Sequence, residues 1–247
     1  MVKNKKEIAM KLALFTDPHY CDKEVTCRTR RPLLSYGKIR EAMETFVREQ
    51  VDFVLCLGDI IDKCDDMQTN IEKTKEIAEL IHSYPLPFYS LMGNHDAHVF
   101  TKQEFNELVN DMPFTPPSSI TVKGKVLILL NANYNDDGTP YVPGEVDWKN
   151  TCIPEEQLHH MEQRLREDDV SEAYVFLHQN LDPEVQKDHI VRNAETVREY
   201  IRDSGKVRAV FQGHYHKGHE TVIDGIPYHT LPAMCEGEEN RFLIIEL

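Results

Sequence analysis

Short apolar runs alternate along the chain with longer stretches whose apolar residues recur at helical spacing. The runs "KLALFT" (11–16), "DFVLCL" (52–57), "PFYSLM" (87–92), "AYVFLH" (173–178) and "RAVFQ" (208–212) are continuous, rich in β-branched and aromatic residues, and predict buried strands. Between them, "LLSYGKIREAMETFVREQ" (33–50) places Ile39, Met43, Phe46 and Val47 on one helical face. The stretches "NIEKTKEIAELIHSY" (70–84) and "KQEFNELVNDM" (102–112) also predict helices. So do "PEEQLHHMEQRLRED" (154–168), with Pro154 at the first helical position, and "IVRNAETVREYIRDSG" (190–205), stopped by Gly205. "SITV" and "VLILLN" around Gly124 predict a hairpin. The tail "HETVID", "IPYHTLP" and "RFLIIEL" predicts short strands joined by tight turns such as "DG". Early alternation and late strands predict an α/β protein with a mixed sheet or two packed sheets and helices outside. No repeat or linker interrupts the pattern, so one domain is expected over 1–247. The longest aperiodic stretch, 131–151, carries the only tryptophan, Trp148. It reads either as a surface excursion anchored by that ring or as part of a substrate pocket.

Each of the five buried strands releases polar, ligand-type residues at its carboxyl end. The first run releases "DPHY", giving Asp17 and His19; the second "GDIID", giving Asp59 and Asp62; the third "GNHD", giving Asn94, His95 and Asp96. The fourth ends on His178, and the fifth leads into "GHYH", giving His214 and His216. A lone Asp or His after a strand is usually a turn or cap residue. Such residues at five strand ends exceed what turn chemistry explains, and open α/β sheets build their sites outside the carboxyl ends of strands. Gly58, Gly93 and Gly213 precede these residues, as tight turns and close packing require. The donors are two carboxylates, one amide oxygen and four imidazoles. That set suits Mn, Fe, Zn, Co or Ni rather than Mg or Ca. Seven side chains are too many for one ion. Asp17, His19, Asp59, Asn94, His178, His214 and His216, with Asp59 shared, predict two divalent ions about 3.5 Å apart, the arrangement of phosphate-cleaving enzymes. Two such cations, two carboxylates and a bridging hydroxide leave a local charge of about +1, which attracts a phosphate.

Composition removes several function classes. A net charge of -14 and a pI near 5.3 argue against a nucleic-acid polymer as partner. No run approaches the ~20 apolar residues of a membrane span. The basic-then-apolar N-terminus is interrupted by Lys11 and lacks a small-residue cleavage site, so it does not read as a signal peptide. Six cysteines without CxxC spacing suggest neither a disulfide framework nor structural zinc, and the expected setting is reduced and cytoplasmic. Cys21 reads as a cleft wall rather than a nucleophile. His98, His219 and His229 read as exposed or as hydrogen-bonding the substrate. His82, His159, His160 and His189 are expected to face water, and "KNKK" and "EGEE" to be solvated ends and turns.

Together, DxH, GDxxD, GNH[DE], a lone His and GHxH, in that order between residues 17 and 216, resemble the calcineurin-like metallophosphoesterase superfamily. "TRRPLLSYGKIREAM", "HIVRNAETVREYI" and the ending "GIPYHTLPAMCEGEENRFLIIEL" are similar to its manganese-dependent ADP-ribose/CDP-alcohol diphosphatase-like branch. The resemblance implies a four-layer α/β/β/α sandwich with two mixed sheets. It implies that Asp17, His19, Asp59 and His216 hold one metal, and Asp59, Asn94, His178 and His214 the other, as Mn, Fe or Zn. It gives His95 the substrate's leaving oxygen or phosphate to contact, with Asp62 orienting it. It implies hydrolysis of a phosphodiester or phosphoanhydride of a nucleotide-type small molecule by a metal-bridging hydroxide, with a phosphomonoesterase or a non-catalytic scaffold as alternatives. Arg28, Arg30, Arg31 and Asn193 are candidate substrate contacts. Protein Ser/Thr phosphatases of the superfamily follow GDxxD with Arg-Gly; Lys63 and Cys64 stand here instead, which argues against that activity.

Overall fold

The computed structural model describes residues 9–110 and 118–247. Four strands form a first sheet in the order β10-β1-β2-β3: β1 (Lys11–Phe15), β2 (Phe53–Cys56) and β3 (Phe88–Ser90) run parallel, and β10 (Leu243–Glu246) runs antiparallel to β1. Six strands form a second sheet. Here β5 (Lys125–Leu129), β6 (Ala173–Phe176), β7 (Val207–Gln212) and β9 (Ile226–Thr230) run parallel, with β4 (Ser118–Val122) and β8 (His219–Ile223) antiparallel at its edges.

Alternating side chains explain the layering, because successive residues of a strand face opposite sides of its sheet. Leu12, Leu14, Phe53, Leu55 and Tyr89 of the first sheet meet Leu127, Leu129, Phe176 and Phe211 of the second in one apolar core. The intervening residues, Ala13, Phe15, Val54, Cys56 and Phe88, pack outward on Ile39, Met43 and Phe46 of α1 (Leu34–Arg48) and Ile77 and Ile81 of α2 (Met67–His82). Val126, Ile128, Val175 and Val210 pack on Leu158 and Met161 of α5 (Glu155–Arg166) and on Val197 and Ile201 of α6 (Ala194–Ser204). The result is the expected α/β/β/α sandwich. It also explains why the central strands read as continuous apolar runs: both faces are buried.

Where elements differ from the sequence pattern, local chemistry accounts for it. Helix α2 begins at Met67 rather than Asn70 because Asp66 caps it, its side chain accepting from the Thr69 amide at 2.9 Å. Pro154 lies just before α5, with extended ψ, rather than in its first turn. Helix α6 starts only at Ala194, because the Val191 and Arg192 amides donate to Asn180 and Thr151 carbonyls instead. A short helix, α3 (Asn94–Val99), was not legible from periodicity; it begins at the third ligand block itself. Helix α4 (Lys102–Val109) matches its pattern as far as it is described; residues 111 and 112 of the expected helix lie outside the described residues. Lys123-Gly124 and Asp224-Gly225 have positive φ at both positions and make tight hairpin turns. All six cysteines are free. Among the described residues no helix is long and apolar enough to cross a membrane.

Candidate metal centre

The carboxyl ends of both sheets open on one side of the sandwich, and the chain there is held by cross-strand hydrogen bonds. The Asp17 amide donates to the Gly58 carbonyl and the His19 amide to the Asp59 carbonyl, both at 3.0 Å. On the second sheet the Gly213 amide donates to the His178 carbonyl at 2.9 Å. The His214 amide joins the two sheets by donating to Asp17 Oδ2 at 3.0 Å. Asp17, His19, Asp59 and His214 all adopt left-handed φ, between 47° and 64°. Such backbone is uncommon outside glycine and concentrates at functional sites. A Cβ on Gly93 would overlap the amide and carboxylate of Asp59, and one on Gly213 would overlap the Thr16 hydroxyl.

The seven expected donors converge. His19 Nε2 and His216 Nε2 stand 3.2 Å apart, and Asp17 Oδ1 lies 3.5 and 3.4 Å from them. His178 Nε2 lies 3.2 Å from both Asn94 Oδ1 and Asp59 Oδ2, and the latter is 3.5 Å from His19 Nε2. Asp59 therefore faces both groups. Ligand atoms of Asp59, His178 and His214 lie within 4.8 Å of one another.

Asp17, Asp59, His178 and His216 each use one atom on the scaffold and turn the other inward. Asp17 Oδ2 accepts from the Thr16 hydroxyl and the His214 amide, while Oδ1 is buried with no partner. Asp59 Oδ1 accepts from the His95 amide, leaving Oδ2 to the cluster. His178 Nδ1 donates to the Leu57 carbonyl at 2.9 Å, so Nε2 is the ring atom turned to Asp59. His214 Nε2 is buried without a partner. Burial of unpartnered acceptors costs free energy. Donors about 2 Å from one ion stand roughly 3.3 Å apart, which the spacings here match. By chemistry and spacing, the donors fit two divalent cations.

Electrostatics point the same way. Burial alone would raise the Asp17 and Asp59 carboxyls, yet His178 beside both, with His19 and His216 at Asp17 and His95 at Asp59, holds them well below the usual range. Burial, Arg30 and His95 push His19 down to about 4, and burial and His178 depress His214. His216 moves up to about 12, because hydrogen bonds to Asp17, Cys235 and Glu236 outweigh its burial. His178 rises to about 9 against its burial through Asp59 and Asp17.

His95 Nδ1 lies 2.8 Å from Asp62 Oδ1, and its ring is edge-on to His19 with centroids 4.5 Å apart. Asp59 and Asp62 raise the His95 imidazole despite its burial. The ring lines a cavity of about 640 Å³ that opens over the cluster. Asp96 ties two ligand turns together, accepting from the Gly93, Ile60 and Ile61 amides.

Several side chains lie elsewhere than the sequence suggested. Arg28 is exposed, Arg31 turns back on the Arg28 and Arg30 carbonyls, and the Asn193 amide is engaged by the Ile153 backbone; none lines the cavity. Arg30 does, with Nη1 3.4 Å from both Asp62 Oδ2 and His19 Nδ1. Cys21 is fully buried, and the thiol at the cavity is that of Cys27. His189 lines the cavity instead of facing water, and His82 bonds the Val109 carbonyl at the end of α4. His98 also lines the cavity, 3.3 Å from Lys63 Nζ; His219 and His229 bond Asp182 and Glu220. Trp148 and Val146 bring the 131–151 loop into the cavity wall. Glu236, in a run read as a solvated turn, holds His216 Nδ1 at 2.7 Å, and Cys235 Sγ lies 3.9 Å from the same atom. Proximity of that run to a strand end was the only sequence signal for either; "KNKK" lies outside the described residues.

The chain is similar to a rat protein named serine/threonine-protein phosphatase CPPED1, 26% identical over 182 residues, which is 67% of this chain and 53% of that one, about half its length. It is similar to 3′,5′-cyclic adenosine monophosphate phosphodiesterase CpdA of Haemophilus influenzae, 22% identical over 232 residues, covering 92% of this chain and 77% of that one. In fold it is similar to a dimetal phosphatase from Danio rerio, with a TM-score of 0.82 at 19% identity, covering 95% and 91% of the two chains. The calcineurin-like phosphoesterase model matches residues 10–218, from the first strand to just past the last histidine pair. The chain therefore belongs to the calcineurin-like phosphoesterase family.

Proposed function

We propose that this protein hydrolyses a phosphodiester or phosphoanhydride bond of a nucleotide-type small molecule at a dinuclear metal centre. The observation that carries the reading is the split of seven donors into two groups that share Asp59, with Asp17 Oδ1 and His214 Nε2 buried and unpartnered. Asp17, His19, Asp59 and His216 would hold one ion, and Asp59, Asn94, His178 and His214 the other, as Mn, Fe or Zn. Such ions supply an activated water and neutralise charge on phosphoryl oxygens.

The chain's own groups do the rest. The Asp62 carboxylate accepts from His95 Nδ1, fixing the ring and favouring its protonated form. His95 Nε2 can then donate a proton to the leaving oxygen, a contribution of roughly 10²–10⁴ in rate. Arg30, held by Asp62, offers a guanidinium to a phosphoryl oxygen. A cavity of about 640 Å³ is within the range that holds a nucleotide-sized ligand.

The test is a substrate panel with Mn²⁺: ADP-ribose, CDP-choline, cyclic nucleotides and simple monoesters. A preference of about a hundredfold for diesters or anhydrides is expected, well beyond what loss of one neutral contact gives. Monoesters cleaved as fast or faster would replace the reading with a phosphomonoesterase. Intact metal binding with no hydrolysis of any compound would leave a scaffold.

A further inference from the structure

Two segments that carry no metal ligand build one wall of the cavity. Trp148 of the 131–151 loop and His189 of the 3₁₀ turn Lys187–His189 meet with ring centroids 5.2 Å apart. Both pack on His214, at 5.5 and 5.0 Å, and His189 also meets Tyr215 at 5.2 Å. All three of Trp148, His189 and Tyr215 line the cavity and are only partly buried, so none serves the hydrophobic core. The segments are fastened together: Lys149 Nζ bonds Asp188 Oδ2 at 2.8 Å while lying 5.3 Å over the Trp148 ring. The loop is also tied to the opposite rim, where the Gly144 amide donates to the His98 carbonyl at 2.9 Å. The cavity is thus chemically lopsided. Rings flank the His214 side, and Arg30 flanks the His19 and Asp62 side.

We propose that Trp148, His189 and Tyr215 form a subsite for the nucleobase of the substrate, with its phosphates running over the metal donors toward Arg30. This deepens the proposed function and rests on it for the reaction. Nucleobases stack on aromatic side chains whatever their sequence identity, because each has a π-face. A ring wall fastened before the ligand arrives loses little freedom on binding. The Gln186 amide, on the same wall, can pair with a base edge as donor or acceptor. A sugar phosphate lacking a base would gain nothing from these groups.

Trp148 is the only tryptophan, so tryptophan fluorescence, excited selectively over tyrosine, reports on this wall alone. Adenosine and cytidine should quench it saturably, and ribose at matched concentrations should not. His189→Ala should weaken adenosine binding about tenfold, the loss of one stacking partner. Lys149→Ala, an exposed change that unties the loop, should weaken it in the same direction. Melting curves and metal content establish that the variants fold. Ribose quenching as well as adenosine, or nucleoside affinity indifferent to both variants, overturns the subsite. Neither binding readout needs turnover. Quenching by adenosine with no hydrolysis in the panel would sink the reaction while leaving the subsite. Hydrolysis of ADP-ribose with no nucleoside quenching would sink the subsite alone.

Discussion

Asp59 is the residue on which the two donor groups meet: one oxygen accepts the His95 amide, and the other faces His178 and His19. Asp59→Asn keeps the amide contact but removes a charge from both groups, so elemental analysis should find metal lost at both positions. Two ions per chain in that variant would contradict the shared role. His95 stands apart, held by Asp62 and facing the cavity. His95→Ala should therefore keep both ions and lose roughly 10²–10⁴ in kcat, most for substrates with poor leaving groups. Unchanged turnover on a natural diester would remove the imidazole from the reaction. Gly93 shows how little room the site has. Adding a methyl in Gly93→Ala would force Asp59 aside, with an overpacking cost of about 1–3 kcal/mol. A lowered Tm together with reduced metal content is expected, and a variant with native metal content would show that the turn can relax.

At the scale of elements, helices and strands are fixed by period, and their ends by single side chains. Helix α4 carries a capping box: Thr101 Oγ1 accepts from the Glu104 amide at 3.3 Å, and Glu104 Oε2 accepts from the Thr101 amide at 2.8 Å. Thr101→Ala should cost about 1 kcal/mol, seen as a lower midpoint in urea with unchanged slope. An unchanged midpoint would mean that packing of α4 on α2 alone holds the helix. The strands illustrate the limit of pattern reading. Their apolar runs marked them as buried on both faces, but not which face meets which layer. Side-chain alternation assigns that only once two sheets stack, as Leu12 and Leu14 do against Leu127 and Leu129 while Ala13 and Phe15 face α1.

The whole molecule couples metal to protons. Without metal, His216 rises to about 12 and His178 to about 9, whereas His19, at about 4, and His214 are neutral near pH 7. A cation takes the same Nε2 lone pairs, so binding at neutral pH must expel the protons from His216 and His178. Calorimetry in buffers of different ionisation enthalpy should show roughly two protons released per chain loaded. The sign is fixed: affinity falls as pH falls, because protons compete for the sites. Metal at about a hundred times its Kd should add about 2.7 kcal/mol of stability. Chelation should therefore lower Tm, and the difference should shrink in acid. No proton release, or a Tm indifferent to chelator, would contradict the assignment of these imidazoles.

Much of this protein was written in its local sequence. Apolar period gave the elements, and the residues after five strands gave the donor types, because a strand end and its turn are neighbours in the chain and parallel strands deliver their ends to one side. The resemblance of those blocks carried the layer order. Tertiary structure alone decided which side chains share the cavity. His19 and His216 touch across 197 positions. Arg30 reaches Asp62 while Arg28 and Arg31 turn away, Glu236 bends back onto His216, and Trp148 meets His189 across two irregular segments. In such segments no period dictates where a side chain points; the contacts that hold the backbone do, and those come from distant parts of the chain.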